Sequence, residues 1–259
     1  MEGTLSKYLI DWLVNWFSEN GRNTAVIGIS GGKDSAVVAA LCVKALGAQN
    51  VFGVMMPNGN QSDLLDAQQV VDELGIRATV VNIHRSYTSL IEDTNLAPML
   101  TRNRMHNGSE LPYERVSPAA EINIAPRLRM TVLYAIAQTL SQDGRHACVV
   151  GTGNLCEATV GYTTKWGDAA CDVNPLRNLT VSEVIQVGDE LGYFPNIVHK
   201  TPSDGLTGLT DEENLGFAYA DVERYLKGEL VPMDVRTKIM KKAKAARHKL
   251  MPIPSPPHP

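Results

Sequence analysis

Apolar residues near the start of the chain recur at three- and four-residue steps. Leu5, Leu9, Trp12, Leu13 and Trp16 fall on one helical face, and Gly21 ends the pattern. Residues 24–29 form an apolar run of strand length, a Gly/Ser segment occupies 30–35, and 36–46 reads as a helix stopped by Gly47. The same alternation continues with a strand at 51–55, a helix at 63–74 and a strand at 78–83. Strands alternating with helices of this length predict βαβ units, hence a doubly wound α/β fold whose parallel sheet carries flanking helices on both faces. Right-handed crossovers then bring the strand C-termini, and whatever they bind, to one edge.

Beyond residue 84 the pattern loosens. Pro98, Gly108, Pro112 and Pro118 predict that 94–117 holds no helix. A helix is expected over 119–140, with Pro126 kinking it or delaying its start, then a buried strand at 147–151 and a helix at 182–191. The segment 201–210, rich in Gly, Ser and Thr, has the composition of a lid. Helices are expected at 211–226 and 232–249. Residues 1–250 read as one domain, and the proline-rich 251–259 as an extended or disordered tail.

Composition narrows the function. With 24 Lys+Arg against 28 Asp+Glu, the net charge of −4 gives no global attraction for nucleic acid or an anionic membrane. No apolar run reaches the roughly 18 residues of a membrane span. The N-terminus, interrupted by Lys7, Asp11 and Asn15, does not read as a secretory signal, so a cytoplasmic location is expected. Cys42, Cys148, Cys156 and Cys171 match no metal-binding spacing and read as free thiols.

The central chemical signal is Gly28-Ile29-Ser30-Gly31-Gly32-Lys33-Asp34-Ser35, between an apolar strand and a helix. Glycines allow a tight turn, and amides, hydroxyls and a helix N-terminus together form an anion cradle. A carboxylate at position 34 is repelled by phosphate unless a cation such as Mg²⁺ lies between them. The spacing fails as a Walker A loop, because three residues separate Gly28 from Gly32 and Asp34 follows Lys33. The segment resembles the SGGxDS loop of ATP pyrophosphatases, the PP-loop enzymes with an adenine nucleotide alpha hydrolase-like fold.

Further blocks make the chain similar to the ammonia-dependent NAD⁺ synthetases. They are Met56-Pro57-Asn58-Gly59-Asn60-Gln61 with Asp66-Ala67, and the run from Asn123 through Arg127 and Arg129 to Met130. Thr152-Gly153-Asn154 with Glu157 follows, then Gly161 to Asp168, Asp211-Glu212 with Leu215-Gly216 and Tyr219, and His248-Lys249. The resemblance implies that the 28–35 loop, Gln61, Thr152 and Ser203 contact ATP, and that Asp34 and Glu157 hold Mg²⁺. It assigns Arg127, Lys165, Asp172, His248 and Lys249 to deamido-NAD⁺, and Asp168 to ammonia. The implied reaction amidates deamido-NAD⁺ through an acyl-adenylate, releasing AMP and pyrophosphate, with ammonia as donor and a homodimer as the default assembly. Its length leaves no room for an amidotransferase domain, although a separate glutaminase partner is conceivable.

Two positions depart from the pattern. Val181 stands where a lysine contacting the ATP phosphates is expected, with Lys33, Arg177 or Lys200 available to replace it, and Ser203 stands for threonine. Another ATP-pyrophosphatase amide ligase, or a nucleotide-binding homologue with lost activity, are the competing readings. The apolar face of the first helix, with Trp12 and Trp16, fits a subunit interface or packing within the domain equally well.

Overall fold

The computed structural model describes residues 3–60, 63–101, 116–200 and 210–256, with backbone alone for 96–101. In chain order the first half comprises α1 (Leu5–Glu19), β1 (Thr24–Gly28), α2 (Lys33–Leu46), β2 (Val51–Met55), α3 (Leu64–Leu74), β3 (Arg77–Val80) and α4 (His84–Thr101). It continues with α5 (Pro118–Glu121), α6 (Ile124–Gln142), β4 (Ala147–Val149), α7 (Leu155–Val160), α8 (Val181–Leu191) and α9 (Pro195–Val198). The last described elements are α10 (Asp211–Leu215), α11 (Tyr219–Leu226) and α12 (Met233–Leu250).

The four strands are parallel in the order β3-β2-β1-β4. Successive side chains of a strand point to opposite faces, and β1 uses both. Ala25 and Ile27 join the larger core beneath α1, α2, α3, α8 and α9, while Val26 joins a second core beneath α6. Burial on both faces is why β1, β2 and β4 read as continuous apolar runs, whereas the edge strand β3 is partly exposed. The doubly wound arrangement thus holds as expected. Its topological switch point lies between β1 and β4, so the loops leaving their C-terminal ends border one crevice.

A third apolar cluster joins α7, α10, α11 and α12, with Cys156, Leu215, Phe217, Val222 and Ile239 buried in it. Gly161 lets α12 dock closely: its φ is +68°, and a Cβ there would come within 2.1 Å of the Ala246 Cβ. On α1, Leu9, Leu13 and Phe17 are buried in the main core and Trp16 packs against it, while Trp12 is exposed.

Several boundaries differ from expectation. Residues 84–101 form α4, which continues through Pro98; residues 84–97 contain neither Gly nor Pro, so the helix is established before the proline is reached. Pro126 lies in the first turn of α6, where a missing N–H costs no helical bond. Residues 211–226 are two helices, because Gly216 adopts a left-handed conformation at φ +76°. α2 begins at Lys33, placing Lys33, Asp34 and Ser35 in its first turn. Residues 251–256 are exposed and adopt neither helix nor strand, and 257–259 lie outside the described residues.

Gly161→Ala should destabilise the protein by about 2–4 kcal/mol, combining a left-handed backbone with a clash against α12. Urea unfolding of Gly161→Ala with and without Ala246→Gly measures the share due to the clash, and the pair should recover part of the loss.

Candidate active site

The chain leaves β1 still anchored to the sheet, with the Ile29 N–H donating to the Val54 carbonyl at 2.9 Å. It then turns through Gly31 at φ +83°, where an added Cβ would sit 2.4 Å from the Asp63 carbonyl oxygen. Only glycine satisfies both the conformation and the close approach to α3. Ser30 and Ser35 brace the turn, their hydroxyls 3.1 Å apart. The Ser35 hydroxyl also donates to the Gly32 carbonyl at 3.0 Å and accepts from the Ser30 N–H at 3.2 Å. No side chain caps the first turn of α2, so its positive dipole end is left for an anion.

Asp34, in that first turn, meets Glu157 on α7 through Asn154. The Asn154 Nδ2 donates to Asp34 Oδ1 at 3.2 Å. Its Oδ1 accepts from the Glu157 N–H at 3.0 Å, and the Glu157 carboxylate accepts from the Asn154 N–H at 2.9 Å. This is a capping box, S/T/N-type at one end and Glu at the other, that doubles as a clamp on two carboxylates. Asn154 is 1% exposed. Burial, with Asp34 adding, pushes Glu157 up to about 8.

Lys33 completes the cluster. Its side chain is 5% exposed, and its Nζ lies 3.0 Å from Asp34 Oδ2. Burial opposes the charged form of Lys33, but Asp34, Glu157 and Asp211 outweigh it and hold the ammonium above its ordinary range. Asp211, at the start of α10, is itself buried and accepts from the Tyr219 hydroxyl at 3.3 Å. Burial, then Glu157 and Asp211, push the Tyr219 phenol far up.

These groups line a cavity of about 570 Å³ at the C-terminal ends of β1 and β4. The whole 28–35 loop, Thr152, Glu157 and Asp168 are in its wall. Asp168 is fixed by the Thr163 hydroxyl at 2.6 Å and the Thr164 N–H at 2.7 Å, and the Thr164 hydroxyl donates to Asn123 at 2.7 Å. Next to it, Trp166 is exposed at a left-handed φ of 61°. Gln61 and Ser203, and all of the expected lid but Thr210, lie outside the described residues.

Arg127, Lys165, Asp172, His248 and Lys249 do not line this cavity. Arg127 donates to the Lys165 carbonyl at 3.4 Å, and the Lys165 ammonium lies 5.5 Å from the Trp166 ring centroid. Asp172 accepts from the Val149 N–H at 2.8 Å and from the Tyr134 hydroxyl at 3.2 Å. Lys249 donates to the carbonyls of Gly161 and Thr163 at 2.8 and 2.6 Å, tying α12 to the loop that carries Asp168. Burial holds the Lys249 ammonium below its ordinary range despite Asp168.

The structure adds residues to which sequence reasoning gave no role: Asn154, Asp211 and Arg129. Arg129 is in the cavity wall, donating to the Met56 carbonyl at 3.0 Å. Asn154 and Asp211 stand in the sequence only as members of blocks resembling the family, and no role for either follows from those blocks. Two clamped carboxylates fit a divalent cation that takes its other ligands from phosphate and water. Among the described residues no group of three His, Cys, Asp or Glu forms an all-protein metal cage.

The NAD synthase family model matches residues 5–253 of the chain. The NH(3)-dependent NAD(+) synthetase of Carboxydothermus hydrogenoformans is 39% identical over 220 residues, covering 83% of this chain and 82% of the relative. That of Alkaliphilus metalliredigens is 35% identical, covering 96% of each. Among solved structures, the NMN synthetase from Francisella tularensis superposes with a TM-score of 0.83 at 32% identity, covering 98% of this chain and 97% of that one. The NH3-dependent NAD synthetase from Campylobacter jejuni, in complex with the nitrate ion, gives 0.72 at 25% identity, covering 97% of each.

Because folding raises Glu157 from 4.5 to about 8, its ionised form costs stability as pH rises across that window. In metal-free protein, Glu157→Gln should therefore melt near the parent's temperature at pH 4.5 and about 10 °C or more higher at pH 8.5. Scanning calorimetry at the two pH values checks the sign. Asn154→Ala should lower stability by about 1 kcal/mol through the lost cap. Its Mg²⁺ requirement should rise at least about tenfold, read by titrating the metal at saturating ATP.

Proposed function

The chain belongs to the NAD synthase family, and on that premise we propose how its cavity carries out the ATP-dependent amidation of deamido-NAD⁺ to NAD⁺. It is a carbon–nitrogen ligase using ammonia. A carboxylate repels nucleophiles and offers a poor leaving group, so it must first be activated. One of its oxygens attacks the α-phosphorus of ATP, the bond to the β-phosphate oxygen breaks, and pyrophosphate leaves. Ammonia then attacks the acyl carbon, AMP departs with the electron pair of the acyl–oxygen bond, and a proton is lost from nitrogen.

The observation that carries this reading is the Asp34–Asn154–Glu157 linkage set against the 28–35 loop at one cavity wall. Gly31 and Gly32 present backbone, and the first turn of α2 presents its dipole, to the triphosphate. Asp34 and Glu157 would hold Mg²⁺, which when bound neutralises phosphate charge. Thr152 contributes a hydroxyl from the end of β4, with Gln61 and Ser203 as further ATP contacts. Asp168, held by Thr163 and Thr164, positions ammonium and accepts its proton. Arg127, Lys165, Asp172, His248 and Lys249 are assigned to the dinucleotide outside the main cavity. Residues 1–250 act as one domain, with 251–259 as a tail. A cytoplasmic homodimer with a diffusible ammonia source, direct or from a separate glutaminase, completes the proposal.

The likeness to the Francisella tularensis NMN synthetase favours a second reading in which the same activation acts on a mononucleotide acid. Purified protein incubated with ATP, Mg²⁺ and ammonium should convert deamido-NAD⁺ to NAD⁺, AMP and pyrophosphate. Chromatography of parallel reactions with nicotinate mononucleotide decides between substrates: a higher kcat/KM for the mononucleotide selects the second reading. Turnover of neither acid overturns both. Asp34→Ala should lower AMP release by about 10²–10³-fold with the fold intact.

A further inference from the structure

The loop that runs from the end of α7 to Asp168 is pinned from two sides. On one side the Thr164 hydroxyl donates to Asn123 at 2.7 Å and Arg127 donates to the Lys165 carbonyl at 3.4 Å, fastening the loop to the start of α6. On the other side stands Lys249, near the end of α12. Its Nζ lies 2.8 Å from the Gly161 carbonyl oxygen and 2.6 Å from that of Thr163. Two of the three N–H donors of an ammonium are thereby spent on backbone. The close seat of α12 permits this reach, since Ala246, one turn before Lys249, is buried against Gly161.

The Thr163 carbonyl and the Thr164 N–H belong to one peptide unit, and its two ends are both in use. Lys249 donates to the oxygen, while the N–H donates to Asp168 Oδ1 at 2.7 Å. A trans peptide is planar, so fixing the direction of its C=O fixes the direction of its N–H. A charged donor on the oxygen also polarises the amide and strengthens what its N–H gives. The Thr163 hydroxyl supplies the other bond to Asp168, at 2.6 Å. Thr163, Thr164 and Asp168 line the cavity and Lys249 does not, so Lys249 acts from behind the wall.

We propose that Lys249 is a positioning residue for the amidation half of the reaction, orienting the Thr163–Thr164 peptide so that its N–H holds Asp168 where ammonium is received. The inference rests on the assignment of Asp168 to ammonia and adds what fixes that carboxylate. A dinucleotide contact uses at most the third N–H of Lys249, and the two roles separate kinetically. Loss of the positioning role falls on the use of ammonium; loss of a dinucleotide contact falls on the binding of the acid, before any ammonia is involved.

The two half-reactions are measured apart. Isotope exchange between pyrophosphate and ATP, with deamido-NAD⁺ and no ammonium, reports acyl-adenylate formation, and NAD⁺ formation at varied ammonium reports amidation. Nicotinate mononucleotide replaces deamido-NAD⁺ in both assays if the parent prefers it. Asp168→Asn should keep the exchange and lower kcat/KM for ammonium by about 10²-fold. Lys249→Met should lower the same constant at least about tenfold, with the exchange rate and the KM for the acid within about twofold of the parent. Lys249→Arg, which keeps the charge and the donors, should recover most of that loss. Lys249→Met should add nothing further in the Asp168→Asn background, since the two act through one contact. Thermal melting identifies a variant that does not fold, and Lys249→Gln then replaces Lys249→Met. Equal losses in both half-reactions mark a merely structural tie and overturn the inference. A rise confined to the KM for the acid, or no change at all, overturns it as well. Normal use of ammonium by Asp168→Asn overturns the ammonia assignment itself, whatever the Lys249 variants do.

Discussion

Two carboxylates held side by side at the end of a parallel sheet are the constraint on which this site depends. Ionised carboxylates repel, and burial sharpens that repulsion because fewer water dipoles screen it. The fold holds them together with an asparagine that bonds to both and caps the helix bearing one of them. It then seats an ammonium against the other. Each of these groups is satisfied, and among the described residues no buried side-chain polar atom lacks a partner. The arrangement leaves the protein poised for a cation, which relieves the negative excess built into the cavity and lets a polyphosphate follow.

That arrangement is produced by the way layers stack. β1 is central, buried on both faces, and delivers its loop to the crevice where strand order reverses. The segment leaving β4, its neighbour, delivers Thr152 and Gly153 to the same crevice from a position more than a hundred residues later. The third apolar cluster then presses α10 and α12 against α7, bringing Asp211 to Lys33 and Lys249 to the Asp168 loop. Stability and chemistry meet in α7, a helix of six residues that is both core element and carrier of a site carboxylate.

The contrast between Arg127 and Arg129 illustrates the same coupling. Two residues apart on one helix, they point in directions about 200° apart around its axis. Arg129 is drawn under the cavity wall to the Met56 carbonyl, and Arg127 is left at the surface against the Lys165 carbonyl. Neither outcome is a property of arginine; each follows from what α6 packs against.

Much of the fold was legible because its signals are local. A parallel strand buried on both faces reads as an unbroken apolar run, and the Gly-Gly turn between β1 and α2 carries its own conformational requirement at Gly31. The 28–35 loop could thus be named from residue type and spacing, whereas the pairing of Asp34 with Glu157 came only from the resemblance to a family. The reading failed in two opposite ways: α4 runs through Pro98, an established helix overriding a local breaker, and 211–226 splits because a local breaker, the left-handed Gly216, takes effect. The sequence by itself determined the strand–helix alternation, the anion-binding turn and the supply of acidic and basic side chains. Only the tertiary structure decided that Asn154 clamps Asp34, that Lys33 pairs with Asp34 within the field of Glu157 and Asp211, and that Val181 faces an apolar cluster. Those outcomes depend on distances between segments far apart in the chain, which no spacing along it encodes.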